Sequence, residues 1–213
     1  ENMQSLIVEG PVRGGYAAEI LTSHDLKAIE NSWERPLLLA KEEEYPAARA
    51  NHQQALDRIE KYMSPPGQLL DFDCGGGFFL ASARERGWAV RGLEPLAGHA
   101  VYARAKFDLE VKTDILRDHS YPEGSLDVVT AFQVFEHLPF PREDLRRLKG
   151  FLKAGGIMLI EVPNIETWSV RVLGRYHRHF VADHLSFFSL KTLRKLLEEE
   201  GFEVVESYST GRV

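Results

Sequence analysis

The sequence contains a single cysteine, Cys74, among its 213 residues. One thiol can form neither a disulfide within the chain nor a cysteine-based zinc site, so small disulfide scaffolds are excluded. The chain also lacks an apolar run of the roughly 18 residues that a membrane-spanning helix needs, and its N-terminal residues lack the basic-then-apolar pattern of a signal peptide. We therefore expect no membrane span and a reducing, cytoplasmic location.

An excess of positive charge is missing as well. The 26 Lys and Arg residues are outnumbered by 32 Asp and Glu residues, which gives a net charge of −6. Because a mildly acidic chain has no long-range attraction to polyanions, we expect no nucleic-acid partner. The hydrophobic fraction of 44% is ordinary for a globular protein. A chain of this length can bury about 70% of its unfolded surface, so it needs no disulfide or metal to fold.

From residue 47 onward, apolar runs of strand length alternate with segments of helical periodicity. The predicted strands are 69–73, 89–94, 109–113, 126–132, 157–162 and 202–208. The predicted helices are 47–63, 78–87, 96–106, 142–153 and 189–200. This alternation is typical of an α/β fold with a mostly parallel sheet, in which ligands bind beyond the carboxyl ends of the strands. Residues 1–46 have no comparable pattern, and we interpret them as an N-terminal cap segment.

A glycine turn follows the first of these strands. It runs from Asp71 through Asp73 and Cys74 to Gly75-Gly76-Gly77 and leads into a predicted helix. Glycine lets a backbone approach a ligand closely, and a helix N-terminus offers free N–H groups, so the turn indicates either a nucleotide site or a tight connection. The dinucleotide fingerprint G-x-G-x-x-G is incomplete here, because Leu80 occupies its third glycine position.

An acidic residue, Glu94, ends the second predicted strand in Gly92-Leu93-Glu94-Pro95. At the carboxyl end of a strand beside a glycine turn, a carboxylate can accept hydrogen bonds from both hydroxyls of a ribose. A surface acid or a helix cap is the alternative interpretation of the same residue.

Several segments, taken in order, resemble the class I S-adenosylmethionine-dependent methyltransferases, and among them the small-molecule group that includes the ubiquinone-biosynthesis O-methyltransferases. The resemblance covers residues 47–208. The segments that carry it are Leu70-Asp71-Phe72-Asp73-Cys74-Gly75-Gly76-Gly77, Gly92-Leu93-Glu94-Pro95, Thr113-Asp114-Ile115, Asp127 to Leu138 with its Glu136-His137-Leu138 ending, Leu152 to Asn164, and His184-Leu185-Ser186-Phe187-Phe188-Ser189 with Glu200-Gly201-Phe202-Glu203.

The resemblance implies a Rossmann-like, doubly wound, mostly parallel sheet of six to seven strands with helices on both faces. It implies a methyltransferase domain over 47–213 that binds S-adenosyl-L-methionine and releases S-adenosyl-L-homocysteine. The implied cofactor contacts are Asp71, Asp73, Gly75 and Gly77 in the glycine loop, Glu94 and Pro95 at the ribose, Asp114 and Ile115 at the adenine, and Phe132 and Gln133 at the sulfonium and adenosine.

The chain departs from the family pattern in two places. Asp73 stands where the family's first motif has its first glycine, and its carboxylate could either pair with the ammonium group of the cofactor or repel the cofactor's carboxylate. The family's sheet usually ends with a seventh, antiparallel strand, yet only residues 209–213 follow the sixth predicted strand.

The catalytic candidates are His137, which follows the fourth strand, and His184, which lies in a segment between strand five and the next helix. Histidine titrates in the range that suits a general base. We interpret 165–188 as an acceptor-site lid, whose Arg and His residues suit an anionic or polyhydroxyl acceptor, although a solvated basic loop gives the same pattern. Glu136 and His137 alone would make a poor metal site, so we predict no metal.

We therefore predict an enzyme that transfers a methyl group to a small molecule, by O-methylation in preference to N- or C-methylation. One alternative is an RNA or protein methyltransferase, against which the acidic balance argues. The other is a non-catalytic domain that binds S-adenosylmethionine or a partner protein, and Asp73 keeps this alternative open.

Overall fold

The computed structural model describes residues 2–6, 48–117, 121–177, 180 and 183–211. Most of the predicted cap segment, 1–46, lies outside the described residues. The described strands are β1 (Asn2–Leu6), β2 (Gln68–Phe72), β3 (Ala89–Leu93), β4 (Val111–Lys112), β5 (Leu126–Phe132), β6 (Leu152–Pro163) and β7 (Tyr208–Gly211). The described helices are α1 (48–60), α2 (Phe78–Glu85), α3 (Ala97–Phe107), α4 (Pro141–Phe151), α5 (Trp168–Leu173) and α6 (Leu190–Glu199). Within these residues, every helix is too short or too polar to cross a lipid bilayer.

The chain forms two compact units. The first unit comprises Gly15–Ser120 and Leu126–Val128, and the second comprises Glu1–Gly14, Tyr121–Ser125 and Val129–Val213. Strand β5 therefore begins in the first unit and continues in the second.

The first unit contains the strand–turn–helix pattern that the sequence predicts. Its strands follow the order β4-β3-β2-β5, and β3 pairs in parallel with both β2 and β4. In this register Asp71 lies opposite Gly92, so the predicted glycine loop and the predicted acid emerge at the same edge of the sheet. Leu69 and Leu70 of β2 are fully buried, as expected for a central strand that is covered on both faces.

Gly92 fixes how closely strand β3 approaches the glycine loop. A Cβ atom at this position would lie 2.5 Å from Cys74 Sγ and 2.9 Å from both Leu80 Cδ1 and Val111 Cγ2. Only glycine fits between these neighbours without displacing them. The close approach seats the loop directly on the end of β3.

In the second unit the strand order is β5-β6-β1-β7, and β1 runs antiparallel to both β6 and β7. Helix α6 buries Leu193 and Leu197 and begins at a capping box. There Ser189 Oγ accepts the Thr192 backbone N–H at 3.2 Å, and Thr192 Oγ1 accepts the Ser189 backbone N–H at 2.9 Å. This cap fixes the chain directly after the segment that carries His184.

Two sequence predictions about the second unit are wrong. The predicted sixth strand, 202–208, forms no strand before Tyr208, since β1 pairs only with Tyr208–Gly211. The exposure of residues 202–206 alternates as in a strand, but a strand also needs a neighbour with which to form ladder hydrogen bonds. The predicted boundary between the helix 142–153 and the strand 157–162 is also wrong, because the helix ends at Phe151 and β6 begins at Leu152.

Candidate functional site

The glycine loop of the first unit turns sharply between β2 and α2. Asp73, Gly75 and Gly77 adopt left-handed backbone conformations, with φ of 60°, 54° and 76°. The backbone N–H groups of Asp73 and Cys74 donate to Leu93 O at 2.8 and 3.2 Å, which ties the loop to the end of β3. The loop is thus a rigid turn held by the neighbouring strand.

Gly77 is required for both its backbone conformation and its surroundings. It caps helix α2 in the left-handed region, where side chains other than glycine are strained. A Cβ atom there would also lie 2.7 Å from Leu109 Cδ1 and 2.9 Å from Ala103 Cβ. The loop can therefore lie this close to α3 only with glycine at this position.

Glu94 lies at the centre of the site, and its side chain is fully buried. Its Oε2 accepts the Gly75 backbone N–H at 2.7 Å, and its Oε1 accepts the Leu96 backbone N–H at 2.8 Å. Glu94 therefore joins the glycine loop to the turn that begins α3.

Burial raises the pKa of Glu94 to about 9, and the negative charge of the nearby Asp73 raises it further. The two backbone N–H donors act in the opposite direction, because they favour the carboxylate. His99 Nδ1 lies 3.8 Å from Glu94 Oε1 and is also buried. The sequence analysis did not select His99. Its position in the first turn of the helix that follows Glu94 is the feature that could have indicated it.

Cys74, in the middle of the loop, is buried. Burial raises the pKa of its thiol well above the ordinary value, and the charges of Asp71, Glu94 and Asp73 raise it further. The thiol is therefore neutral and packs against Gly92 as a small apolar group.

The predicted ribose and adenine contacts lie near one another in the first unit. The Glu94 backbone N–H donates to Lys112 O at 3.0 Å, so the end of β3 is tied to the end of β4. Asp114 and Ile115, both half-buried, come directly after β4, and Asp114 Oδ1 accepts the Ile115 N–H at 2.9 Å. Pro95 is half-buried, and Asp71 is buried within β2. Their individual roles toward a cofactor stay predictions.

In the second unit, Gln133 follows the end of β5 in a strained conformation. Its φ is 59°, and its backbone N–H donates to Glu161 O at 2.8 Å. Its side-chain Nε2 is buried without a hydrogen-bond partner among the described residues. A buried amide that makes no hydrogen bond is uncommon in folded proteins and indicates a ligand or water position. Phe132 beside it is half-buried.

His137 and His184 lie together in the second unit, although sequence reasoning proposed them separately. Their ring centroids are 4.8 Å apart with an interplanar angle of 80°. The contact arises because Glu136 O accepts the backbone N–H groups of Leu185 and Ser186 at 2.7 and 3.0 Å. His137 Nδ1 lies 3.0 Å from Asp183 O, an acceptor that selects the tautomer with the proton on Nδ1.

Glu136 completes a cluster with these two histidines. Its side chain is buried, and one ligand atom from each of Glu136, His137 and His184 lies within 4.8 Å of the others. The sequence analysis considered Glu136 and His137 as two adjacent metal ligands. It did not predict that His184 would lie beside them as a third. Within the part of the chain that the structure describes, these three residues are the ones that could hold an ion, and the prediction of no metal stays a prediction.

The predicted lid contains both exposed and buried side chains. Trp168 and Tyr176 are each 77% exposed, and the Arg175 guanidinium lies 4.9 Å from the Tyr176 ring centroid. His177 is buried, with Nε2 3.1 Å from Ser169 Oγ, so it packs inside the segment. Arg178 and His179, which belong to the predicted basic cluster, lie outside the described residues.

The fold and the glycine loop identify the class of protein as a class I S-adenosylmethionine-dependent methyltransferase, with a Rossmann-like, mostly parallel α/β fold. A family model described as a methyltransferase domain matches residues 42–207, and the chain belongs to that family. The predicted family and its cofactor, S-adenosylmethionine, are thereby confirmed.

Individual relatives agree with this assignment. The chain is 30% identical over 115 residues to a ubiquinone biosynthesis O-methyltransferase from Cronobacter sakazakii, a match that covers 50% of this chain and 47% of that protein. It is 29% identical over 140 residues to a protein of Mycolicibacterium smegmatis named as a probable S-adenosylmethionine-dependent methyltransferase, which covers 65% and 53%. The chain thus spans about half the length of the curated relatives it matches.

The fold is also similar to that of solved structures. A SAM-dependent methyltransferase from Thermotoga maritima, described as a possible histamine N-methyltransferase, superposes with a TM-score of 0.62 at 21% identity. The match covers 84% of this chain and 80% of that one. At this level of identity the similarity concerns the fold.

Proposed function

We propose that the chain transfers a methyl group from S-adenosylmethionine to a hydroxyl group of a small molecule. The observation that carries the proposal is Glu94, whose buried carboxyl group accepts the Gly75 N–H of the glycine loop and whose backbone N–H donates to Lys112 O at the end of β4. In open α/β sheets this is the edge at which nucleotide ligands bind.

The residues of the first unit suit the cofactor. Gly75 and Gly77 bring backbone close to a ligand without side-chain obstruction, which suits its methionine part. Each Glu94 oxygen accepts one backbone N–H and retains a second lone pair for a ribose hydroxyl. Asp114 and Ile115 would contact the adenine, while Asp71 supports the loop and Pro95 directs the chain into α3.

When bound, S-adenosylmethionine supplies a methyl group on a positively charged sulfonium, which is already an activated leaving group. The protein therefore has mainly to hold donor and acceptor in line, which can contribute about 7–11 kcal/mol. In this proposal Phe132 and Gln133 contact the adenosine and sulfonium part. The buried Gln133 amide supports that role, because it has no other described partner.

We propose His137 as the general base and His184 as the residue that positions it. Because Asp183 O favours a proton on Nδ1, the Nε2 atom of His137 is left as the basic nitrogen. A base at this position would remove the proton from an acceptor hydroxyl as the methyl group moves. The His184 ring packs against His137 and limits its rotation. A base is needed for a hydroxyl acceptor and not for a neutral amine, so this pair favours O-methylation.

Two further features of the proposal come from the sequence and the relatives. A small-molecule acceptor is supported by the O-methyltransferase relatives, and the Arg residues of the lid suit an anionic or polyhydroxyl one. A cytoplasmic location stays a prediction from the sequence.

Calorimetric titration with S-adenosylmethionine and S-adenosylhomocysteine tests the cofactor site, and a screen of phenol, catechol, carboxylate and amine acceptors tests the reaction. We expect micromolar cofactor binding and turnover with a hydroxyl acceptor. Cofactor binding without turnover on any acceptor class would instead favour a non-catalytic binding domain. Turnover on RNA that weakens steeply with added salt would favour the nucleic-acid alternative.

A further inference from the structure

Helix α5 and the turn after it expose large apolar side chains. Trp168 and Val172 are four residues apart on the helix, so they share one face, and they are 77% and 59% exposed. Leu173 is 51% exposed, and Tyr176, in the following turn, is 77% exposed. A single exposed apolar side chain is ordinary on a protein surface, but four so close together along the chain indicate a surface that binds something.

The backbone that carries these side chains is held at both ends. Thr167 Oγ1 accepts the Val170 backbone N–H at 3.2 Å and caps the start of the helix. Val170 itself is buried. At the other end His177 is buried, with its Nε2 atom 3.1 Å from Ser169 Oγ. The exposed side chains are therefore presented by an anchored segment.

The charge on this segment has one sign. Residues 167–177 include Arg171 and Arg175 and contain no Asp or Glu, although the whole chain has a net charge of −6. Both arginines are exposed, and Arg175 Nη2 donates to the Tyr176 hydroxyl at 2.7 Å. Trp, Tyr and Arg each join an apolar part to a polar end, which suits them to the boundary between lipid headgroups and acyl chains.

Exposed aromatic side chains continue from this segment towards the proposed base. The Phe180 N–H donates to His177 O at 2.9 Å, and the Phe180 ring centroid lies 5.1 Å from that of Phe187. Phe180 and Phe187 are both 40% exposed. The Phe187 ring centroid is in turn 6.4 Å from that of His184. These contacts connect the segment of α5 to the residue proposed to position the base.

The exposed apolar and basic side chains of α5 and its turn form what we call the docking surface: Trp168, Arg171, Val172, Leu173, Arg175 and Tyr176. We propose that the docking surface binds membranes that contain anionic lipids. Its apolar side chains enter the headgroup region, and its arginines contact lipid phosphates. A helix of six residues lies on such a membrane and does not cross it. The inference goes beyond the proposed function and does not depend on it, because lipid binding needs neither cofactor nor methyl acceptor.

A protein partner is the other class of occupant for a surface with exposed Trp, Tyr and Arg. Two features favour lipid. Aliphatic side chains such as Val172 and Leu173 contribute little to the energetic centres of protein interfaces, whereas they enter the acyl boundary of a membrane readily. The charges of Arg171 and Arg175 match a uniformly anionic surface, since no acid lies among residues 167–177.

The test is cosedimentation of the full chain with vesicles of phosphatidylcholine alone, and with vesicles of phosphatidylcholine mixed with an equal amount of phosphatidylglycerol. We expect binding to the mixed vesicles that weakens with added salt, and at least about tenfold weaker binding to the neutral ones. The double variant Trp168→Gln, Val172→Gln should bind the mixed vesicles at least about tenfold more weakly, because it removes apolar area that enters the lipid. Val205→Gln is the control, since Val205 is an exposed apolar residue elsewhere in the same unit, and it should bind like the original chain.

Two further measurements separate the contributions of charge and insertion. Arg171→Gln with Arg175→Gln should weaken binding to the mixed vesicles about tenfold. Arg147→Gln with Lys153→Gln removes the same charge from exposed positions of α4 and β6 and should have a smaller effect. Fluorescence emission of the original chain should shift to shorter wavelength on the mixed vesicles, and Trp168→Phe should bind without this shift. All variants should unfold like the original chain, because they change exposed side chains.

Three results would overturn the inference: no binding to the mixed vesicles, equal binding by the original chain and the Trp168→Gln, Val172→Gln double variant, or an emission shift that Trp168→Phe retains. Sedimentation velocity without vesicles tests the protein alternative. If the original chain self-associates and the double variant stays a monomer, the docking surface binds a second copy of the chain and the inference is wrong. The proposed methyl transfer is tested separately, by cofactor binding and turnover, so its failure and the failure of lipid binding are distinguishable.

Discussion

Glu94 Oε2 accepts a hydrogen bond from the Gly75 backbone N–H at 2.7 Å. This contact joins the acid at the end of β3 to the turn after β2. The Glu94 side chain therefore holds the glycine loop in place and, in the proposed site, also accepts hydrogen bonds from the ribose. Substitution of Glu94 or Gly75 should therefore change the dissociation constant of the cofactor more than the rate of the methyl-transfer step.

Gly92→Ala should destabilise the chain. The added Cβ would lie 2.5 Å from Cys74 Sγ and would force the loop and β3 apart, an overpacking that typically costs about 1–3 kcal/mol. Urea denaturation measures the change in the free energy of unfolding. Gly150→Ala is the control: Gly150 is an exposed position of α4, a Cβ there would meet nothing within 4 Å, and the substitution should gain about 0.5–1 kcal/mol of stability. Equal effects of the two substitutions would contradict the packing argument.

Gln133→Met should separate stability from binding. Methionine has nearly the same shape and removes a buried amide that makes no described hydrogen bond, so the free energy of unfolding should stay constant or rise. If Gln133 donates to the bound cofactor, the dissociation constant for S-adenosylhomocysteine should rise about two- to tenfold. A destabilised variant with unchanged affinity would show that the amide has a structural partner.

His137→Ala should lower turnover and leave cofactor affinity unchanged. Loss of a general base typically costs about 10²–10⁴-fold in rate. Turnover is measured with a hydroxyl acceptor found in the screen, and S-adenosylhomocysteine binding serves as the control for an intact site. His184→Ala should lower turnover less, because it removes the ring that packs on His137 and leaves the base in place. Full activity of His137→Ala would exclude it as the base.

Acid should destabilise the chain partly through His52. Burial lowers the pKa of His52 to about 4, and its ring packs against Phe79 at a centroid distance of 5.7 Å. Between pH 6.5 and about 4 the unfolded chain binds a proton that the folded chain does not, so stability falls as pH falls. His52→Gln should reduce the slope of unfolding free energy against pH by about one proton in this range. An unchanged slope would show that His52 titrates normally.

The sequence predicted the structure of the first unit more accurately than that of the second. The buried leucines of β2, the glycine cluster and Glu94 follow one another in a short stretch of chain, where local conformation decides the structure. The pairing of His137 with His184 depends instead on Glu136 O receiving N–H groups from a distant segment. No local periodicity encodes such a contact.

The errors have a physical origin too. Residues 202–206 alternate like a strand, but β1 pairs only with the residues from Tyr208 onward. The sequence marks Asp73 as a departure from the family but does not predict its backbone contact. Asp73 adopts a left-handed conformation, and its N–H donates to Leu93 O, the residue directly before Glu94.

The central claim is that Glu94 holds the cofactor. The most direct measurement is the dissociation constant for S-adenosylhomocysteine of the original chain and of Glu94→Gln, with Glu110→Gln as control, since Glu110 is an exposed acid in the same unit. We predict micromolar binding by the original chain and by the control, and at least about tenfold weaker binding by Glu94→Gln. This variant should also lose some stability, because the glutamine NH2 group cannot accept the second of the two backbone N–H groups that Glu94 binds. Equal affinity of all three proteins would contradict the account.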